Sequence, residues 1–300
     1  MKYSTIPGHI MLLTAVALGL GGCAEFIDVP SHNHSSRVDY LVIHHTSEDF
    51  AESLRLLTQP TDNPVSSHYL IPETGDETYT RGSLKVHRLV EEYRRAWHAG
   101  HSYWHEEESL NDRSIGIEIV NKTYCEFIDP DFEERSVENQ KCYFLDYPDE
   151  QIALLIDLLQ DILSRYPDLD PVDVVGHSDI APDRKIDPGP LFPWKLLYEA
   201  GIGAWYDDET LSKYRQKFDA GLPSISTVQR ALHSYGYRII QTGSLDAQTN
   251  LVIRSFQMHF RPTGISGDID TESAAVLFAL LEKYRPDSLV ELTAGSADEI

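Results

Sequence analysis

Three apolar runs in this chain carry side chains that do chemistry. "YLVIHH" (Tyr40 to His45) ends on two imidazoles, "SIGIEIVN" (Ser114 to Asn121) holds Glu118, and "VDVVGHS" (Val172 to Ser178) ends at His177. The last opens into "GHSDIAPDRKIDPGPLFPW" (Gly176 to Trp194), with Asp179, Asp183, Lys185, Asp187 and prolines at 182, 188, 190 and 193. Two imidazoles and a carboxylate can fill three corners of a tetrahedron around Zn²⁺ and leave the fourth to water. Such an ion lowers the pKa of that water from ~15.7 to about 7. A neighbouring carboxylate can then carry its proton to a leaving amine, and a lysine can stabilise an oxyanion. Spacing leaves a second reading open. No short H-x-x-x-H pair joins these strand-end histidines, and hydrogen-bonded strand-end histidines with a buried, paired Glu118 fit the same pattern.

The elements that must position these groups read as follows. Neighbours on a strand point to opposite faces, so His44 and His45 cannot both aim at one ion, and periodicity does not choose between them. Glu118 points away from Ile115, Ile117 and Ile119, toward a cleft or toward solvent. "SSHYLI" (Ser66 to Ile71) and "TYTRG" (Thr78 to Gly82) read as paired short strands across the turn "PETGDE". A helix is expected over Glu150 to Tyr166, where Ile152, Leu155, Ile156, Leu159, Ile162, Leu163 and Tyr166 form one stripe. Strands interleaved with helices predict an α/β fold with a mixed central β-sheet. Four prolines predict a stiff, non-helical loop from Gly176 to Trp194. Beyond Asp207 a charged linker (207–221), with helix as an open alternative for it, leads to three short amphipathic helices within 222–285, with Asp246 and Asp270 as N-caps. The last segment, 286–300, reads as a disordered tail.

Composition sets outer limits. A chain 41% hydrophobic and 24% charged is globular. A formal charge of -23 repels polyanions and excludes nucleic acid as a partner; the acidity reads as solubility. Residues 1–22 read as a signal peptide, with Lys2 before the apolar stretch Ile10 to Gly22. Leu20-Gly21-Gly22-Cys23 resembles the lipobox of bacterial lipoproteins, in which the Cys becomes the acylated first residue. Acyl chains anchor at ~0.8 kcal/mol per buried CH₂. Ala24 rather than Asp after Cys23 implies the outer membrane of a Gram-negative cell, facing the periplasm. Residues 23–37 then form a polar tether. Cys125 and Cys142 share one acidic segment, and in an oxidising compartment a disulfide closing it is expected, with two free thiols as the alternative.

Five motifs in order, "LVIHHT", "SSHYLI", "RAWHAG", "NDRSIGIEIVN" and "VVGHSDIAPDRKIDPGPLFPW", together resemble the zinc-dependent N-acetylmuramoyl-L-alanine amidases of type 2, which share the peptidoglycan-recognition-protein fold. The resemblance implies that residues 38–206 form the catalytic domain, with a mixed sheet flanked by helices. It implies one Zn²⁺ held by His44, His177 and Asp187, Glu118 as proton shuttle and Lys185 facing the scissile carbonyl. Trp97 and His98 line the substrate groove under this reading, with His68 close by, and His45 packs on the far side of its strand. "STVQRALHSYGYRI" and the residues to Leu281 resemble a three-helix peptidoglycan-binding domain. With the lipobox, the whole chain is most similar to the outer-membrane lipoprotein members of the family. The expected activity is hydrolysis of the amide between N-acetylmuramic acid, or its 1,6-anhydro form, and L-alanine. The expected partners are peptidoglycan, muropeptides and, through acylated Cys23, a bilayer; the chain is expected to be monomeric. Rival readings are a wall-binding protein without turnover, a glycosidase using Glu118 and an aspartate as paired carboxylates, and Glu118 in place of Asp187 as third ligand.

Overall fold

The computed structural model describes residues 27–129 and 137–295. The expected signal peptide and Cys23 lie outside the described residues. Residues 27–35 carry no helix or strand and belong to a unit separate from residues 36–300.

In chain order the second unit contains β1 (Tyr40–His45), α1 (Phe50–Thr58), β2 (Tyr69–Ile71), β3 (His87–Arg88), β4 (Tyr103–Trp104), β5 (Glu107–Glu108), β6 (Ser114–Ile119), β7 (Tyr124–Phe127), β8 (Gln140–Tyr143), α2 (Asp149–Arg165), β9 (Val174–Gly176), α3 (His177–Ile180), α4 (Trp194–Glu199), α5 (Asp208–Asp219), α6 (Ile225–Tyr235), α7 (Ala247–Phe260), α8 (Thr271–Tyr284) and α9 (Pro286–Gly295). The central sheet runs β3-β2-β6-β1-β9 and is mixed, with β3 antiparallel to β2 and the other pairs parallel. β1 lies between two parallel neighbours and is buried along its whole length, which is why its sequence is a near-continuous apolar run. α2 lays Ile152, Leu155, Leu159 and Ile162 into the core as its stripe predicts. Each such buried aliphatic side chain contributes about 1.5–3 kcal/mol.

Several expectations are corrected. Thr78 to Gly82 is not a strand; β2 pairs instead with His87 and Arg88. Asp76 explains this, because its carboxylate accepts from the Thr78 N–H (2.8 Å), the Thr78 hydroxyl (2.7 Å) and the Phe50 N–H (2.7 Å), tying the segment into a turn at the start of α1. The proline-rich loop admits one helical turn, α3, before Pro182, and α4 begins only after Pro193. The charged linker is helical, α5, and packs instead of hanging free. It buries Leu211, Tyr214 and Phe218 against α8, with Phe218 edge-on to Phe278 at 4.9 Å. Ion pairs Lys213–Glu282 (2.6 Å) and Arg215–Glu272 line its flank. The expected tail forms α9 as far as Gly295 and buries Leu292.

The helical segment is no separate bead. Asp246 and Asp270 cap α7 and α8 as expected, accepting from Thr249 and Ser273 N–H. One hydrophobic core nevertheless runs from the sheet through α6, α7 and α8. Trp104 of β4 meets the Tyr237 ring at 4.8 Å, and a Cβ on Gly236 (φ 140°) would stand 2.7 Å from the indole. Only glycine permits both that backbone angle and that approach.

Candidate metal centre

β1 and β6 pair so that His44 stands beside Glu118 in register. Directly paired residues of parallel strands share a face, so His44, Glu118, Gly116 and Ser114 look to one side of the sheet. His45 looks to the other. There its Nδ1 donates to the Pro188 carbonyl (3.2 Å), which also accepts from the Tyr147 hydroxyl (2.7 Å). The second histidine therefore steadies, from behind, the loop that carries Asp187.

α3 brings His177, and the loop after it brings Asp187, to His44. The three ligand atoms are His44 Nδ1, His177 Nδ1 and Asp187 Oδ2, at mutual distances of 2.9, 3.1 and 3.0 Å. Donors about 2.0–2.1 Å from one tetrahedral Zn²⁺ stand roughly 3.3 Å apart, so the triangle has nearly the right size. Among the described residues this is the one His/Cys/Asp/Glu group close enough to hold an ion, and Glu118 is not part of it.

The surrounding hydrogen bonds assign the protons. The Ser114 hydroxyl donates to the Leu110 carbonyl (2.6 Å) and so accepts from His98 Nε2 (3.1 Å). His98 Nδ1 then carries a lone pair and accepts from His44 Nε2 (3.0 Å). His44 Nδ1 is left as a bare acceptor facing the site. His177 Nε2 donates to the Ala99 carbonyl (3.2 Å), which leaves its Nδ1 bare as well. Burial keeps both partners neutral: it pushes the His177 pKa down to about 3 and the His98 pKa well below the usual imidazole range. Two lone pairs and a carboxylate oxygen thus converge at about 3 Å with no proton between them. That arrangement repels itself unless a cation sits among them, and this donor set suits Zn²⁺.

The structure adds a supporting role to two of the expected groove residues. His98 is buried with both ring nitrogens bonded, so it orients His44 while its ring forms part of the wall of the cavity over the metal ligands. It lies flat over Gly116, where a Cβ would come within 2.3 Å of the imidazole. His68 is fully buried; its Nδ1 accepts from the Gly116 N–H and its Nε2 bonds the Arg94 carbonyl. Trp97 is 53% exposed at the rim and is the member of that trio free to meet a ligand. A cavity of about 350 Å³ opens over the metal ligands, bounded by Trp97, Glu118, Arg184, Lys185 and Gln140. Glu118 Oε2 is buried there without a hydrogen-bond partner. Burial pushes its carboxyl above the usual range, partly offset by His44 and Lys185. Cys125 and Cys142 are joined in a disulfide that crosses β7 and β8, with Cys125 at the cavity wall.

Sequence reading passed over Arg184. Its guanidinium bonds the Ala99 (2.5 Å) and His101 (3.0 Å) carbonyls and so ties the "RAWHAG" loop to the loop of Asp187. Only its place next to Lys185 could have marked it.

Comparison with known proteins adds the following. Residues 34–190 match the N-acetylmuramoyl-L-alanine amidase family, and residues 222–277 match a peptidoglycan binding domain family. The chain is 39% identical to N-acetylmuramoyl-L-alanine amidase AmiD of Escherichia coli K12 over 288 residues, covering 92% of this chain and 98% of that one. The structure of AmpDh3 from Pseudomonas aeruginosa in complex with anhydromuramic pentapeptide superposes with TM-score 0.77 at 46% identity, over 86% of this chain and 96% of that one. The E. coli AmiD complex with anhydro-N-acetylmuramic acid-L-Ala-D-γ-Glu-L-Lys gives TM-score 0.70 at 40% identity, over 85% and 93%.

Proposed function

We propose that this chain, which belongs to the N-acetylmuramoyl-L-alanine amidase family, works as a zinc hydrolase on muramyl peptides. It hydrolyses the amide between N-acetylmuramic acid, or its 1,6-anhydro form, and L-alanine of the stem peptide; relatives of the same fold are solved with anhydromuramyl peptides in place. The observation that carries the metal reading is the convergence of two bare imidazole nitrogens and one carboxylate oxygen at about 3 Å.

His44, His177 and Asp187 would hold Zn²⁺, which when bound supplies a Lewis acid that activates water at neutral pH. Glu118 stands in register beside His44 with one oxygen free, so it takes the proton of the attacking water. Addition to the carbonyl makes a tetrahedral carbon whose oxyanion Lys185, at the cavity wall, stabilises. Glu118 then gives its proton to the alanine nitrogen, and the C–N bond breaks. Trp97 offers an exposed ring at the rim for the sugar or peptide to stack on.

Residues 20–23, Leu-Gly-Gly-Cys, support a lipid anchor at Cys23, and the following Ala24 supports the outer membrane facing the periplasm. The helical segment supports wall binding through its family match.

Purified chain beginning after Cys23, incubated with zinc and anhydromuramyl tripeptide, is expected to release free tripeptide. No release with zinc supplied would make the chain a binder without turnover. New reducing ends on intact murein would make it a glycosidase. Replacing Cys23 by Ser is expected to move the protein from the membrane to the soluble fraction.

A further inference from the structure

His177 belongs to a one-turn helix, and one turn does not hold itself in place. What fixes it comes from α7 and the residues after α6. Asp179, two residues on, is buried and uses its carboxylate on both sides of a seam. Oδ2 accepts from the Gly176 N–H (2.7 Å), immediately before His177, and from His259 Nδ1 (2.7 Å) of α7. Oδ1 accepts from the Tyr237 hydroxyl (2.6 Å). On the other side of His177, the Ser178 carbonyl accepts from the Ser255 hydroxyl of α7 (2.7 Å), and the Ser178 N–H donates to the Asp187 carbonyl (2.8 Å). The His259 ring lies flat on Trp194 at 3.8 Å, and Trp194 in turn closes over Gly176, where a Cβ would meet its ring at 3.3 Å. The residues before and after one metal ligand are thus both gripped by helices of the peptidoglycan-binding segment.

We propose that His259, Tyr237 and Ser255 are positioning residues for the metal centre: through Asp179 and the Ser178 carbonyl they set the backbone of His177, so the helical segment is a working part of the catalytic site as well as a wall-binding one. The inference rests on the zinc reading above. Metal partners beyond the ligands themselves typically tune affinity tenfold to a hundredfold, and here those partners sit on another module of the chain. The selective pressure this implies runs against a loose tether between the two segments.

Two substitutions of His259 divide its two contacts. His259→Asn places an amide N–H where Nδ1 was and loses the stack on Trp194; His259→Phe keeps the stack and loses the donor. Tyr237→Phe removes one hydroxyl. Arg285→Met serves as a control that loosens the same seam elsewhere, at Asp170 and His105. The full chain in detergent is titrated with zinc against a competing chelator, and melting temperature, kcat and KM on anhydromuramyl tripeptide are recorded alongside. His259→Phe and Tyr237→Phe are expected to weaken zinc binding about tenfold or more and to lower kcat with KM unchanged. His259→Asn is expected to regain most of the affinity, and Arg285→Met to melt lower yet bind zinc as the parent does. Parent-like zinc affinity and kcat in His259→Phe and Tyr237→Phe would overturn the proposal, as would equal loss in Arg285→Met. A parent chain that binds no zinc would overturn the zinc reading and this inference together.

Discussion

Two adjacent histidines at the end of β1 serve one site from opposite faces: His44 presents Nδ1 to the ion position, and His45 holds the Pro188 carbonyl behind Asp187. Glu118, the base of the proposed reaction, sits in a desolvated environment, and one oxygen of its carboxyl has no partner. Glu118→Gln is expected to retain zinc and to lose about 10²–10⁴-fold in kcat, read by tripeptide release beside metal analysis; full activity would remove Glu118 from the reaction. Burial raises the pKa of this carboxyl in the metal-free chain, where a titration followed by NMR should place it above the ordinary glutamate value of about 4.3. The stability consequence has the same sign. A carboxyl whose folded pKa is raised leaves the fold unpenalised at low pH and costs stability as pH rises through that value. Without metal, Glu118→Gln should therefore melt above the parent at pH 7, and the two should converge near pH 4.

At the scale of elements, β6 is the strand that spaces the site. It carries Ser114, Gly116 and Glu118 on one face: Ser114 accepts a hydrogen bond from His98, Gly116 is the floor beneath His98, and Glu118 is the general base of the proposed reaction. Gly116→Ala should displace His98, because the new methyl would overlap its ring. Expected results are a tenfold to hundredfold weaker zinc affinity and about 1–3 kcal/mol lower stability. A variant that is destabilised but binds zinc normally would show that His44 needs no donor from His98. On the opposite face α2 covers the sheet, and Leu159 is fully buried there. Leu159→Ala should cost about 2–5 kcal/mol in urea unfolding with zinc affinity unchanged, since that face carries packing and not ligands.

Taken whole, the described residues from Ser36 on share one core, with Trp104 under Tyr237, His259 on Trp194, and Arg285 reaching Asp170 and His105. A chain ending at residue 206 would expose Trp104, Trp194 and the buried carboxylate of Asp179. It should lose cooperative unfolding by circular dichroism, whereas two independent domains would leave a transition of its own to the sheet. The motif order made the mixed sheet, α2, the three amphipathic helices and the chemical types at the site legible from residues alone. That 207–221 packs onto the core and that 286–295 is helical were not legible, because charge on the outer face of α5 masks a short apolar stripe, and among the described residues of α9 only Leu292 is buried.

Local pattern was enough to say that strands end on histidines, that Glu118 faces away from the isoleucines, and that a proline-stiffened loop brings an aspartate; period and composition are written in neighbouring residues. Residue pattern by itself did not choose the face of β1 that meets the ion, which the family resemblance supplied; that His98 and His68 are buried and support the site through hydrogen bonds, and that α7 grips the turn bearing His177, were decided only in three dimensions. These rest on hydrogen bonds between residues 16 to 143 positions apart, and no periodicity in a chain records which distant partner will satisfy a buried donor.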